Sequence, residues 1–98
     1  MVILAKVTNI GPMTTFNVNR QDGTTKSIKK KTLVVENDFN SMACEAFDDL
    51  AQELEDANLV KGVHLVMDIT ITCVEVASKQ SGETFLKNNV RINKVKTL

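Results

Sequence analysis

Val63-His64-Leu65-Val66-Met67-Asp68-Ile69-Thr70-Ile71-Thr72-Cys73 is the stretch on which the fold turns. All six odd-numbered positions are apolar, while His64, Asp68, Thr70 and Thr72 fall on the even ones. Successive side chains on a strand point to opposite faces, so the stretch predicts a long strand with one buried face. Just upstream the period changes. Ala43, Phe47, Leu50, Leu54 and Ala57 recur at spacings of three and four, widened by Ala46 and Ala51. That is one apolar helical face, ending near Asn58 and ahead of Gly62. Asn40 or Ser41 supplies an N-cap. A second start is open, with Met42 to Phe47 extended and the helix beginning at Asp48.

Towards the N-terminus, Val2 to Ile10 is β-branched and apolar and stops at Gly11-Pro12. Met13 to Arg20 is a second strand, with Phe16 and Val18 two apart. Gln21-Asp22-Gly23-Thr24 is a turn, because Asp-Gly accepts the positive backbone angles of a tight hairpin. Ile28 to Glu36 is a third strand. Beyond the deciding stretch, Ala77 to Glu83 is a polar loop, and Thr84 to about Val95 is a last strand with Leu86, Val90 and Ile92 on one parity. The order strand, strand, strand, helix, strand, strand is that of a mainly β, five-stranded Greek-key barrel, the OB-fold. A plain α+β sandwich of the same elements is the alternative.

With 98 residues, 43% hydrophobic and 24% charged, the composition is globular, and the expectation is one domain over residues 1–98. No apolar run reaches membrane-spanning length, and Met1 to Lys6 lacks the basic start of a signal peptide, so the expected location is cytoplasmic. Cys44 and Cys73 have no neighbouring cysteine or histidine at ligand spacing; they are expected to be buried thiols, with no metal and no cofactor. His64 is expected at a strand surface. Asp48-Asp49 are paired carboxylates without a convergent histidine or nucleophile, which argues against an enzyme.

The segment Asp49-Leu50-Ala51-Gln52-Glu53-Leu54, followed by Val60-Lys61-Gly62-Val63-His64-Leu65-Val66-Met67, resembles bacterial single-stranded-DNA-binding proteins. There a helix containing Leu-Ala-Glu runs into Lys-Gly and then a long strand. Ser81-Gly82-Glu83, Val90-Arg91-Ile92 and the opening Val2-Ile3-Leu4 are similar to that family's last loop, last strand and first strand. The resemblance implies an OB-fold that binds single strands, with a role in DNA replication or repair. The chain departs from the family in lacking Trp and Tyr, and in ending at Lys96-Thr97-Leu98 without the glycine-rich linker and acidic tip.

Charge placement bears on the same question. Twelve basic and 12 acidic residues cancel. Yet Glu36 to Asp56 holds eight acids and no basic residue, and the rest of the chain holds every basic residue and four acids. An acidic helix facing away would leave a basic sheet free for a polyanion. A single strand needs cations along its backbone and flat rings for its bases. The expected nucleic-acid contacts are Arg20, Lys26, Lys29, Lys30 and Lys31 around the third strand, and Lys79, Phe85, Lys87, Asn89 and Arg91 in the last loop and strand. If Leu86, Val90 and Ile92 face the core, then Phe85, Lys87, Asn89, Arg91 and Asn93 face outward. Three consecutive lysines guarantee an outward cation, although the parity of their strand is open. Phe16 shares parity with Val18, which favours core burial, with Thr15, Asn17 and Asn19 outward. Phe47 falls in the helical stripe and is assigned to the core, and Phe39 to a staple before the helix. The expected partner is single-stranded nucleic acid, DNA before RNA, with no membrane. The alternative is an interaction module that uses the acidic helix or basic sheet face, and the same charge segregation allows a homo-oligomer.

Overall fold

The structure, a computed structural model, describes residues 1–38 and 40–98; Phe39, the expected staple, lies outside the described residues. The elements are β1 (Val2–Asn19), β2 (Thr25–Asn37), β3 (Asn40–Phe47), α1 (Asp48–Asp56), β4 (His64–Ala77) and β5 (Thr84–Thr97). The strands close into a barrel in the order β1-β2-β3-β5-β4. β3 and β5 run parallel and the other pairs antiparallel. This is the mainly β barrel with one helix between the third and fourth strands, the OB-fold arrangement expected from the element order.

Two elements differ from their sequence reading, and the two differences offset each other in the strand count. Gly11-Pro12 does not end a strand. β1 runs through it, bulged. From Ile10 to Met13, β1 advances three residues while β2 advances two, from Leu33 to Lys31, and a similar shift separates Val7 from Asn9. Each bulge adds a residue and bends the strand, and the bend lets β1 pair with β4 through Val2–Lys6 and with β2 through Lys6–Asn19. Pro12, without an N–H, fits a bulge. Gly11 is required by close approach: a Cβ there would lie 2.8 Å from the Thr32 carbonyl oxygen. The second is Asn40–Phe47, which is strand β3 and not the first turns of the helix; of the two starts left open by the sequence, the helix takes the second, at Asp48. The helical spacing of Ala43 and Phe47 is coincidental there. Cys44 and Ala46 point into the barrel and Glu45 and Phe47 out of it, a period of two, because β2 needs a partner along its second edge.

The core is filled from every strand. Ala5, Val7, Leu33, Val35, Cys44, Ala46, Leu65, Met67, Ile69, Val90 and Ile92 are buried, and Leu54 of α1 packs into the same cluster. Among the described residues, the left-handed backbone positions outside glycine are Asp38, Asp48 and Asn58. Asp and Asn tolerate that region best, and at Asp48 it turns the chain abruptly from β3 into α1. Among the described residues no helix is long and apolar enough to cross a membrane.

Both hairpins outrun the barrel. Residues 84–89 of β5 pair only with β4, and residues 25–29 of β2 only with β1. The alternation in β4 therefore holds, but its far end emerges into solvent: Ile71 is 46% exposed and Cys73 is exposed. Leu86, expected in the core, is 73% exposed for the same reason. Of the two thiols expected to be buried, only Cys44 is.

Candidate functional site

The direction of β2 settles where its lysines go. Leu33 and Val35 are inward, so Lys29 and Lys31 lie on the helix side and Lys26, Ile28 and Lys30 lie outside. Lys31 is 5% exposed, and its Nζ donates to Glu55 Oε2 at 2.6 Å. Lys29 Nζ donates to Gln52 Oε1 at 2.9 Å. These two residues, expected at the nucleic-acid surface, tie α1 to β2 instead.

The outer face carries a different set. Cross-strand register places Phe16 beside Ile28, Thr14 beside Lys30, Lys30 beside Phe47 and Thr32 beside Glu45. Phe16 is 40% exposed, not core, and Lys30 Nζ stands 6.0 Å from its ring centroid. Phe16 faces out because β1, after two bulges, puts Thr15 and Asn17 on the side of Lys29 and Phe16 and Val18 on the side of Lys26. The outward row expected at Thr15, Asn17 and Asn19 is therefore reversed. Phe47, also assigned to the core, ends β3 on the outer face, half-buried beneath Arg91. The Arg91 guanidinium carbon lies 5.2 Å from the Phe47 centroid.

Two depressions of about 240 and 230 Å³ run along this face. The first is lined by Phe16, Ile28, Phe47, Asp48 and Arg91, the second by Glu45, Phe47, Thr72, Asn89, Val90 and Arg91. Sharing Phe47 and Arg91, they form one groove from the β1–β2 hairpin to the β4–β5 hairpin. Along β5, Phe85, Lys87, Asn89 and Arg91 keep one parity and pair with Val76, Val74, Thr72 and Thr70. Phe85 is 52% exposed. Asn93 begins a register shift and donates from Nδ2 to Thr70 Oγ1 at 2.8 Å.

The remaining expected residues sit at the hairpin tips. Arg20 opens a turn closed by its N–H on Thr24 O at 2.7 Å, with Gly23 at φ +86°. Asp22 Oδ1 accepts from Thr24 Oγ1 and N at 2.6 and 3.0 Å, which pulls its carboxyl below the usual range. Lys79 lies in the other tip, closed by Ser78 N–H on Glu83 O at 2.8 Å.

The acidic window is less segregated than its sequence span implies. Five of its acids are on α1, but Glu45 belongs to β3 and lies 3.6 Å from Lys30 Nζ in the groove, and Asp48 lines the groove's end. The groove is thus cations and rings around one central carboxylate. Phe16, Ile28, Glu45 and Phe47 were not among the expected contacts. The alternation of Cys44 and Ala46 with Glu45 and Phe47 was the available signal for the last two.

No protein-family model and no curated protein sequence matches the chain. Solved structures do. The chain is similar to the second OB-fold domain of replication protein A from Methanococcus maripaludis, with a TM-score of 0.65 and 21% identity over 99% of this chain and 81% of that one. It is also similar to a mitochondrial single-stranded-DNA-binding protein of S. cerevisiae, with a TM-score of 0.51 and 12% identity over 100% of this chain and 92% of that one. At these identities the likeness establishes the OB-fold.

Proposed function

We propose that residues 1–98 act as one non-enzymatic domain that binds single-stranded nucleic acid, DNA before RNA, in the groove across β1, β2, β3 and β5. The observation that carries this is the pairing of Arg91 with Phe47 and Lys30 with Phe16 on one exposed face. Rings take bases and cations take phosphates, and stacking is indifferent to sequence because every base has a flat face. The solved neighbours, one titled as a domain of replication protein A and one as a single-stranded-DNA-binding protein, support the same reading. Lys26, Lys87, Arg20 and Lys79 extend the cationic track towards the two hairpin tips.

Titration of a labelled thymidine oligomer at low and high salt tests it. Binding is expected in the micromolar range or tighter at low salt, weakening steeply as salt rises. No binding at low salt would remove the proposal.

One observation favours a second reading, a protein contact made through an apolar patch and not through the acidic helix or basic sheet face: Ile71 and Leu86 are 46% and 73% exposed on the other face of the β4–β5 hairpin. Salt-insensitive self-association without oligonucleotide binding would select it.

A further inference from the structure

The second depression of the groove has the composition of a pocket that reads a base as well as stacking it. Phe47 supplies one wall and the planar guanidinium of Arg91 lies over it at 5.2 Å. Asn89 and Thr72 supply short polar side chains, and Glu45 supplies a carboxylate. Glu45 pairs with one cation, Lys30 Nζ at 3.6 Å from Oε2, and Arg91, whose guanidinium lies over Phe47, is its backbone register partner across the parallel β3–β5 junction. Its side chain keeps 31% of its surface open to solvent.

A carboxylate in a groove built for a polyanion opposes the electrostatics around it. It repels phosphate, and it offsets part of the charge of Lys30. Its compensating property is that it only accepts hydrogen bonds. Bases differ in how well they satisfy such a group. Guanine presents two adjacent donors, N1–H and N2–H, which match the two carboxylate oxygens. Cytosine and adenine present one amino group beside a ring acceptor that the carboxylate repels. Thymine and uracil present a single N–H between two carbonyls. Arg91 and Phe47 hold the base plane, and Glu45 meets its edge.

We infer that Glu45 makes this pocket guanine-selective: a base stacked at Phe47 and Arg91 is read by the Glu45 carboxylate, which favours guanine and disfavours thymine and uracil. The inference rests on the groove being a single-strand binding surface and adds a preference to it. A bidentate edge contact discriminates by about tenfold or more, and one centrally placed pocket leaves the rest of the strand read without preference.

Three oligomers of equal length separate the possibilities: all thymidine, alternating thymidine and guanosine, and alternating thymidine and inosine. Inosine keeps N1–H but lacks the 2-amino group. Fluorescence anisotropy at low salt is expected to rank guanosine first, by about tenfold over thymidine, with inosine between. In Glu45→Gln the gap is expected to shrink to within about twofold, and thymidine binding to tighten, because an amide no longer repels phosphate or the thymine carbonyls. Glu45→Asp, which keeps the charge on a shorter stem, should retain a preference for guanosine. Equal affinity of the wild-type protein for all three oligomers, or a gap that survives Glu45→Gln, overturns the inference and leaves the binding surface standing. Failure of every oligomer to bind removes both.

Discussion

Arg91 of β5 holds its guanidinium carbon 5.2 Å from the ring centroid of Phe47 of β3, across the short parallel junction where Glu45 meets Arg91 in register. This junction is where the barrel closes between its two hairpins; Arg91 is paired within it, and Phe47, two residues beyond Glu45, is paired with Lys30 of β2. A cation over an aromatic face is favourable by about 0.5–1 kcal/mol at an exposed site. That biases the Arg91 side chain towards the ring before any ligand arrives.

Two substitutions separate the stacking share of binding from the electrostatic share. Phe47→Leu keeps an apolar side chain but removes the ring, and should weaken oligonucleotide binding by about 1–3 kcal/mol with its salt dependence unchanged. Arg91→Gln removes one cation, and should also flatten the slope of log affinity against log salt by about 0.7, the value for one phosphate on a single strand. Titrations at several salt concentrations read both numbers. Equal slopes for wild type and Arg91→Gln would mean that Arg91 meets no phosphate.

The lysine run gives a control with the same change in net charge. Lys30 is on the groove side, whereas Lys29 Nζ is bonded to Gln52 Oε1 at 2.9 Å on the helix side. Lys30→Glu should weaken binding at low salt by about tenfold or more, through the lost cation and a new repulsion beside Glu45. Lys29→Glu, one position away, should stay within about twofold. Equal weakening would show that binding follows the overall field of the barrel and not a groove.

The positions of these lysines show what was legible in the chain and what was not. The alternation of Leu65, Met67 and Ile69 identified β4 directly, because a half-buried strand writes its period into the sequence. The element order of five strands and one helix was also legible, but only because the break read at Gly11-Pro12 and the helix read over Ala43–Phe47 offset each other. The groove was not, because three of its parts depend on register. Phe16 faces outward only because two bulges in β1 precede it, and a bulge leaves no fixed signature beyond Gly11-Pro12. Phe47 matched both a helical and a strand period, and the choice was made by β2, whose free edge β3 completes. The parity of Lys29, Lys30 and Lys31 was undecidable while Ile28, Leu33, Val34 and Val35 offered apolar positions on both faces. By contrast, the shared outward parity of Lys87, Asn89 and Arg91 was legible, since Val90 and Ile92 fix the face of β5.

Lys31 and Glu55 give a stability prediction independent of binding. The ammonium is nearly buried, its carboxylate partner is half-exposed, and they meet at 2.6 Å. Glu55→Ala leaves the ammonium without that acceptor and should cost about 1–3 kcal/mol. Lys31→Met replaces the buried charge with an unbranched apolar chain of similar length and should be close to neutral. Urea unfolding of both variants checks this, and oligonucleotide affinity of the folded Glu55→Ala protein should be unchanged. A Lys31→Met protein as unstable as Glu55→Ala would mean that the ion pair itself, and not the orphaned charge, holds α1 on the barrel.

Gly11→Ala tests the β1 bulge. Its Cβ would meet the Thr32 carbonyl at 2.8 Å and the Thr32 Cβ at 3.2 Å, both on a paired strand that cannot withdraw without breaking ladder hydrogen bonds. Overpacking of this kind costs about 1–3 kcal/mol. The urea midpoint should fall with an unchanged slope, since the unfolded chain is as exposed as before. A midpoint within error of wild type would mean that β1 and β2 separate freely at this point.

The two thiols should behave oppositely. Cys44 is fully buried in the barrel, and burial pushes its thiol up to about 11 from an ordinary 9.0, because the thiolate would be desolvated. Cys73 is exposed on the β4–β5 hairpin. A disulfide reagent at neutral pH should therefore modify Cys73 quickly in the folded protein, and Cys44 only after denaturation, since the thiolate is the reacting form and the barrel also blocks access. The Cys73→Ser protein should show no fast-reacting thiol. The shift also fixes a pH dependence. Below pH 9 both folded and unfolded chains keep Cys44 protonated, and it contributes nothing that varies. As the pH rises from about 9 towards about 11 the unfolded thiol ionises while the folded one does not, so the unfolded state gains and stability falls. A Cys44→Ala protein should lack that component of the alkaline loss. An unaltered alkaline profile in Cys44→Ala would show that the loss does not come from this thiol.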